Sequence, residues 1–341
     1  MPAIAEGGAA GVSGAAGGQG GAVEAPTAGT GGEGGAADGV GHCGDFAGLG
    51  TGPVSTRALT KVLDASWIVS QRTTGFVVDS DNRIYVAVGD KVYLVEDASV
   101  SEYLTIDEAR STAGLPPSTI DYFSDMDSAP DGSLFLLTRD GILRSTTAHT
   151  ATLWQSTNET QFLLGAVTND EVVVIRSFDG LYSLNGAAAS LLYTSQQLEG
   201  TTNCATQDLA ISTHGVFLYQ PGCNKSSLMR GRTDGSKVER LYETEPSGIN
   251  PMNAGNFLCA ARDPLGGFYL MADTPDGSRL FHLCEGATRW AGYNEIPTTP
   301  SFTEAANGGL KFRYCSLVAA TDGTVFIQSS NQLWQVSPAA P

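Results

Sequence analysis

Residues 126–144 read MDSAPDGSLFLLTRDGILR. An apolar segment ends at Ala129, and Pro130-Asp131-Gly132 follows as a tight polar turn. Leu134–Leu137 is an unbroken apolar run, Asp140-Gly141 is a second turn, and a third segment opens at Ile142. Asp-Gly is the dipeptide of a short hairpin, because glycine takes the positive φ that the turn requires. Nineteen residues therefore predict three antiparallel strands joined in sequence.

The same pattern returns along the chain. Its six copies span Phe76–Val95, Met126–Arg144, Ala166–Leu184, Asp208–Arg230, Ala260–Leu283 and Leu317–Val336. The matching positions Tyr85, Phe135, Val174, Phe217, Tyr269 and Phe326 are 50, 39, 43, 52 and 57 residues apart. A fourth strand follows each of the first five copies, at Glu102–Thr105, Thr152–Gln155, Ser190–Tyr193, Val238–Tyr242 and Thr288–Trp290. A four-stranded unit of 40–50 residues is the blade of a β-propeller. The chain thus reads as an all-β, six-bladed β-propeller over residues 56–338. The sixth copy lacks its outer strand, and Leu59–Leu63 supplies one from the other end of the domain, which closes the ring and removes two exposed edges.

Composition divides the chain. Of 42 glycines, 18 fall in residues 1–50, which contain no Lys or Arg and no aromatic before Phe46. Residues 1–45 read as a disordered Gly/Ala tether carrying the charges Glu6, Glu24, Glu33 and Asp38, with too little to bury to offset its ordering entropy. The whole chain has 19 basic and 36 acidic residues, a net charge of -17, and no run of eighteen apolar residues. That excludes a nucleic-acid surface, which needs a basic stripe, and a transmembrane helix. No signal peptide is visible. Six cysteines, Cys43, Cys204, Cys223, Cys259, Cys284 and Cys315, form no C-x-x-C and read as disulfides of an oxidising compartment. Cys204–Cys223 closes a short loop. For the other four, sequence proximity favours Cys259–Cys284 with Cys43–Cys315, whereas strand order suggests Cys259–Cys315.

Long connections from each outer strand to the next inner strand converge on one face, at 105–124, 156–163, 194–207, 243–256 and 291–313. They bring Tyr122, Asp125, Asn203, Asp208, Asn256, Tyr293, Arg313 and Tyr314 toward one mouth, a mixture of aromatics, amides and carboxylates suited to a protein, peptide or glycan ligand. Thr105–Arg110 reads as a capped short helix in the first of these loops. The histidines, His42, His149, His214 and His282, do not cluster, and His282 reads as a packed side chain. No nucleophile elbow, zinc or phosphate motif occurs.

Segments such as MDSAPDGSLFL (126–136) and FDGLYS (178–183) resemble six-bladed propellers of the NHL and gluconolactonase-like type. The leader is similar in composition to the tethers of bacterial surface lipoproteins. The propeller resemblance implies either a binding module or a calcium-dependent hydrolase or lyase. In the second case Asp125, Asn203, Asp208 and Asn256, near the starts of innermost strands, are the candidate oxygen ligands. The residues themselves carry no catalytic cluster. The reading is an extracytoplasmic, monomeric binding propeller with no required cofactor, calcium being the one to test.

Overall fold

Short apolar segments between obligate turns can bury their faces only by pairing edge to edge and stacking sheet on sheet. A computed structural model of the chain describes residues 55–64, 73–96, 99–117, 122–156, 163–167, 173–177, 180–185, 188–199, 208–212, 214–220, 227–243, 256–264, 266–288, 291–307, 315–329 and 332–338. The expected tether, residues 1–45, lies outside the described residues.

Strand β1 (Arg57–Asp64) precedes β2 (Thr73–Val78), β3 (Ile84–Val88), β4 (Lys91–Glu96), β5 (Ser99–Thr105) and helix α1 (Ile106–Thr112). Next come β6 (Asp125–Ser128), β7 (Leu134–Thr138), β8 (Gly141–Thr147) and β9 (Thr150–Ser156), then β10 (Leu163–Val167), β11 (Val173–Ser177), β12 (Gly180–Leu184), β13 (Ala189–Thr194) and α2 (Ser195–Glu199). They are followed by β14 (Asp208–Ile211), β15 (Val216–Gln220), β16 (Ser227–Arg232) and β17 (Val238–Glu243). The chain continues through β18 (Asn256–Arg262), β19 (Phe268–Thr274), β20 (Gly277–Thr288), β21 (Ala291–Ile296), β22 (Thr298–Thr299) and α3 (Phe302–Asn307), and ends in β23 (Cys315–Ala319), β24 (Val325–Ser329) and β25 (Gln332–Val336).

Five sheets are antiparallel meanders of four consecutive strands, β2–β5, β6–β9, β10–β13, β14–β17 and β18–β21. Their innermost strands neighbour one another in the order β2, β6, β10, β14, β18, then β23, which returns to β2. This is a β-propeller. The sequence reading expects six blades, the last completed by the N-terminal strand; the structure corrects the count to five regular four-stranded blades, and the remaining sheet is composite, with order β22-β1-β25-β24-β23. Here β1 runs antiparallel to β25, with Leu59 opposite Val336, Lys61 opposite Trp334 and Asp64 opposite Gln332. The two-residue β22 then adds in parallel to β1.

The turns explain the excess of aspartate. Asp131 Oδ1 accepts from Ser133 N at 2.9 Å and from Ser133 Oγ at 2.6 Å, while Gly132 holds φ +81°. Asp322 caps Thr324 N at 2.8 Å and Asp234 caps Ser236 N at 2.8 Å in the same way. Each carboxylate satisfies a backbone donor that the turn would otherwise leave unpaired.

Second strands carry the core. All residues of β3, β7, β15 and β24 are buried. The repeat positions Tyr85, Phe135, Phe217, Tyr269 and Phe326 are buried as well. At the seam, Leu59 of β1 packs in one cluster with Tyr269 and Met271 of β19 and with Ile327 and Trp334 of the composite sheet. The neighbouring Arg57 is also buried, its N donating to Pro297 O at 2.9 Å and its guanidinium to Gly323 O at 3.3 Å.

Deletion of residues 56–64 should therefore expose the β25 edge and yield an unfolded or aggregated chain, whereas deletion of 1–42 should leave the melting temperature nearly unchanged. Size-exclusion chromatography and thermal melts distinguish the two, and a folded monomer lacking 56–64 would refute the closure. Gly141 provides a second check. Its φ is +151°, and a Cβ there would lie 2.3 Å from Gln155 O. Gly141→Ala should cost about 2–3 kcal/mol in a denaturant titration.

Candidate functional site

The turns that join first to second strands, such as Asp79–Arg83, Ala129–Ser133 and Asp263–Gly267, share one end of the ring, here called the lower end. Innermost strands begin at the opposite, upper end. Asp125, Asp208 and Asn256 are the first residues of β6, β14 and β18. They pair in register with Leu137, Gln220 and Asp273, the far ends of the second strands. The structure thus places three oxygen-bearing residues at the upper heads of innermost strands from three sheets.

The loop before β6 is anchored from within. Phe123 is fully buried and its N donates to Gly89 O at 3.0 Å, and Ser124 N donates to Leu137 O at 2.8 Å. Tyr122, one residue earlier, is 54% exposed. Helix α1 flanks this loop. Thr105 caps it, accepting from Glu108 N at 3.2 Å, and Glu108 accepts from Thr105 N at 2.9 Å. The helix runs two residues past the expected Arg110. Arg110 is buried, bonds Pro116 O at 2.8 Å through Nε and pairs with Asp140, so it pins the loop rather than facing a ligand. Gln220 is consumed likewise, its Nε2 donating to Phe257 O at 2.7 Å across two sheets.

Tyr293 requires a correction. The sequence reading puts it in an upper loop after an outer strand at Thr288–Trp290. Instead β20 continues through Thr288, the connection is the tight one between paired Thr288 and Ala291, and Tyr293 lies on β21 opposite Leu283. It sits on the outermost strand, toward the lower end, three strands from the axis. A bulge between Leu283 and Thr288 hides the strand's continuation from simple alternation. Asn203, Arg313 and Tyr314 lie outside the described residues.

Two lower-end features escape sequence reasoning. Arg262, at the end of β18, donates from its guanidinium to Ser128 O at 2.9 Å at the end of β6. These strands are opposite one another in the cyclic order, so the contact crosses the axis. Ser128 Oγ continues it to Val78 O at 2.8 Å. A cavity of about 210 Å³ between the fourth and fifth sheets is lined by Val216, Arg230, Arg232, Lys237, Glu239 and Glu285, among others. Its charges answer one another: Arg230 Nε reaches Glu239 at 3.1 Å, Lys237 reaches Glu239 at 2.7 Å, and His214 reaches Glu285 at 2.9 Å. His282 is packed edge-on against Tyr269 and bonded through Nε2 to the buried Asp263 at 2.8 Å.

Several carboxylates titrate below their ordinary range for stated reasons. Glu108 is lowered first by the Thr105 backbone N–H, then by the Thr105 hydroxyl and His149. Asp131 is lowered by the Ser133 hydroxyl and N–H and by Arg144, and Glu239 by Arg230 and Lys237. A lowered folded value means that the stabilisation is complete above the ordinary values of 4.5 for Glu and 3.8 for Asp, and is lost as pH falls through the folded value. The melting temperature should therefore be level above about pH 5 and fall on acidification below it. Asp131→Asn should reduce that slope, and an unchanged acid limb would contradict the assignment.

Among the described residues, no group of three or more His, Cys, Asp or Glu is placed to hold a metal ion. Asp125, Asp208 and Asn256 are of the residue types whose oxygens calcium takes. No helix among the described residues is long and apolar enough to cross a membrane.

No protein-family model and no curated protein matches the chain. Solved structures do. A gluconolactonase from Xanthomonas campestris aligns with TM-score 0.51 at 14% identity, covering 83% of this chain and 90% of that one. Virginiamycin B lyase from Staphylococcus aureus aligns with TM-score 0.50 at 7% identity, over 82% and 99%. The calcium-binding protein regucalcin from Agrobacterium tumefaciens aligns with TM-score 0.50 at 9% identity, over 84% and 94%. At these identities the likeness is one of fold.

Proposed function

We propose that this chain is an extracytoplasmic binding module, secreted or held at a surface by residues 1–45. In this reading the composite sheet acts as the sixth blade, and the monomeric ring takes a protein, peptide or glycan on its upper end. The observation that carries the reading is Tyr122. A large aromatic is left half-exposed beside a fully buried Phe123 that holds its loop in place. Exposed aromatics on rigid supports are the usual anchors of peptide and sugar ligands. Asp125, three residues on, adds an acceptor, and the net charge of -17 favours neutral or cationic ligands over anionic ones. Screening the protein against glycan and peptide arrays tests this. Tyr122→Ala should weaken a captured ligand by about tenfold or more, the loss of one anchor, with the melting temperature unchanged.

A second reading, a calcium-dependent hydrolase or lyase, is favoured by the placement of Asp125, Asp208 and Asn256 at the heads of three innermost strands. Calcium binding at a hundredfold excess over Kd stabilises by about 2.7 kcal/mol, a melting shift of roughly 5–10 °C. The binding-module reading expects no calorimetric heat and no shift with calcium. A shift reversed by chelator and removed by Asp125→Asn would assign the second reading instead.

A further inference from the structure

We propose that the ring is locked covalently at its seam by two disulfides, Cys259–Cys315 and Cys43–Cys284, with Cys204–Cys223 as a separate local bridge. No described cysteine is free, and Cys259 and Cys284 are each disulfide-bonded. They do not bond each other. Cys259 lies opposite Met271 on β19, and Met271 lies opposite Leu280 on β20. Cys284 is four residues beyond Leu280. Two strand spacings and four residues of rise separate the Cα atoms by roughly 16 Å, whereas a disulfide needs them within about 7 Å.

The register identifies the partners. Cys259 is buried in the cluster that contains Leu317 and Ala319 of β23, so it faces the composite sheet. Cys315 is the first residue of β23, two and four positions before Leu317 and Ala319, and β18 and β23 are neighbours. It therefore lies at a register position on the same face of β23 as those two residues. Cys284 follows Leu283, which pairs with Phe268 just after the lower turn of the fifth sheet. Cys204 and Cys223 lie outside the described residues, four positions before β14 begins and three after β15 ends, and those two strand termini share the upper end. Cys43 instead precedes β1, which enters at Arg57 beside the lower turn residue Gly323. Fourteen residues from Cys43 to Arg57 reach on the order of 45 Å when extended, well beyond the spacing of about 10 Å between packed sheets.

Each bridge forms as two thiols surrender two protons and two electrons to a disulfide oxidant, which is reduced to its two thiols, and one S–S bond is made. The inference rests on the extracytoplasmic reading only for where such an oxidant would be met. Its test is independent of compartment: the full chain is refolded in mixed reduced and oxidised glutathione, alkylated and digested with trypsin without reduction. Cleavage at the Lys and Arg residues places Cys259 in 241–262, Cys284 in 280–289, Cys315 in 314–341 and Cys43 in 1–57, with Cys204 and Cys223 together in 177–225. Mass spectrometry should find 241–262 joined to 314–341 and 280–289 joined to 1–57. A 241–262 to 280–289 linkage, or alkylated Cys259 or Cys284, would overturn the proposal. Cys315→Ser should leave Cys259 open to alkylation after denaturation and lower the melting temperature by roughly 5–15 °C. An unaltered Cys259 linkage in that variant would also refute it.

Discussion

Between Leu59 and Asp64, β1 hydrogen-bonds to β25, and every other sheet relies on that ladder indirectly. An open row of stacked sheets leaves its two end faces and its last strand exposed to water and to other chains. Here the last strand receives its partner from the opposite end of the domain. The innermost strands can then return from β23 to β2, and each sheet packs on both faces. Arg57 and Leu59 show how firmly the entry is held. One is a buried arginine whose backbone N–H bonds Pro297 O and whose guanidinium bonds Gly323 O, and the other is a buried leucine packed among residues of the fifth and composite sheets.

Most of this architecture was legible in residues 126–144 and their echoes. Asp-Gly pairs mark turns because the carboxylate and the positive φ are both needed there, and an apolar run of four marks a strand buried on both faces. What could not be read was where a strand stops when no glycine or proline stops it. The fifth sheet is the case in point: β20 continues five residues past Leu283 through a bulge, and this carried Tyr293 from an expected upper loop to an outer strand. The extra β22 was equally hidden, since two threonines carry no pattern. The candidate site was legible in part. Asp125, Asp208 and Asn256 follow from strand starts, whereas the sequence carries no sign that Arg110, Gln220 and Arg262 are occupied in the fold.

The acid surplus takes on a local meaning in the structure. Asp131, Asp234 and Asp322 cap backbone donors in turns, and Glu239 and Glu285 answer the cations around one cavity. Part of the charge is thus structural in origin. Among the described residues, the upper end carries the exposed aromatic Tyr122 and the heads of three polar-led strands, on a fold that a solved gluconolactonase and a solved lyase share. That scaffold supports recognition and catalysis alike.

Arg262 bears on the rigidity of the ring. Its bond to Ser128 spans the lower end, and Ser128 in turn holds Val78. The lower end therefore cannot widen without breaking a bond that reaches across the axis, and a force on one blade is passed directly to the blade opposite it.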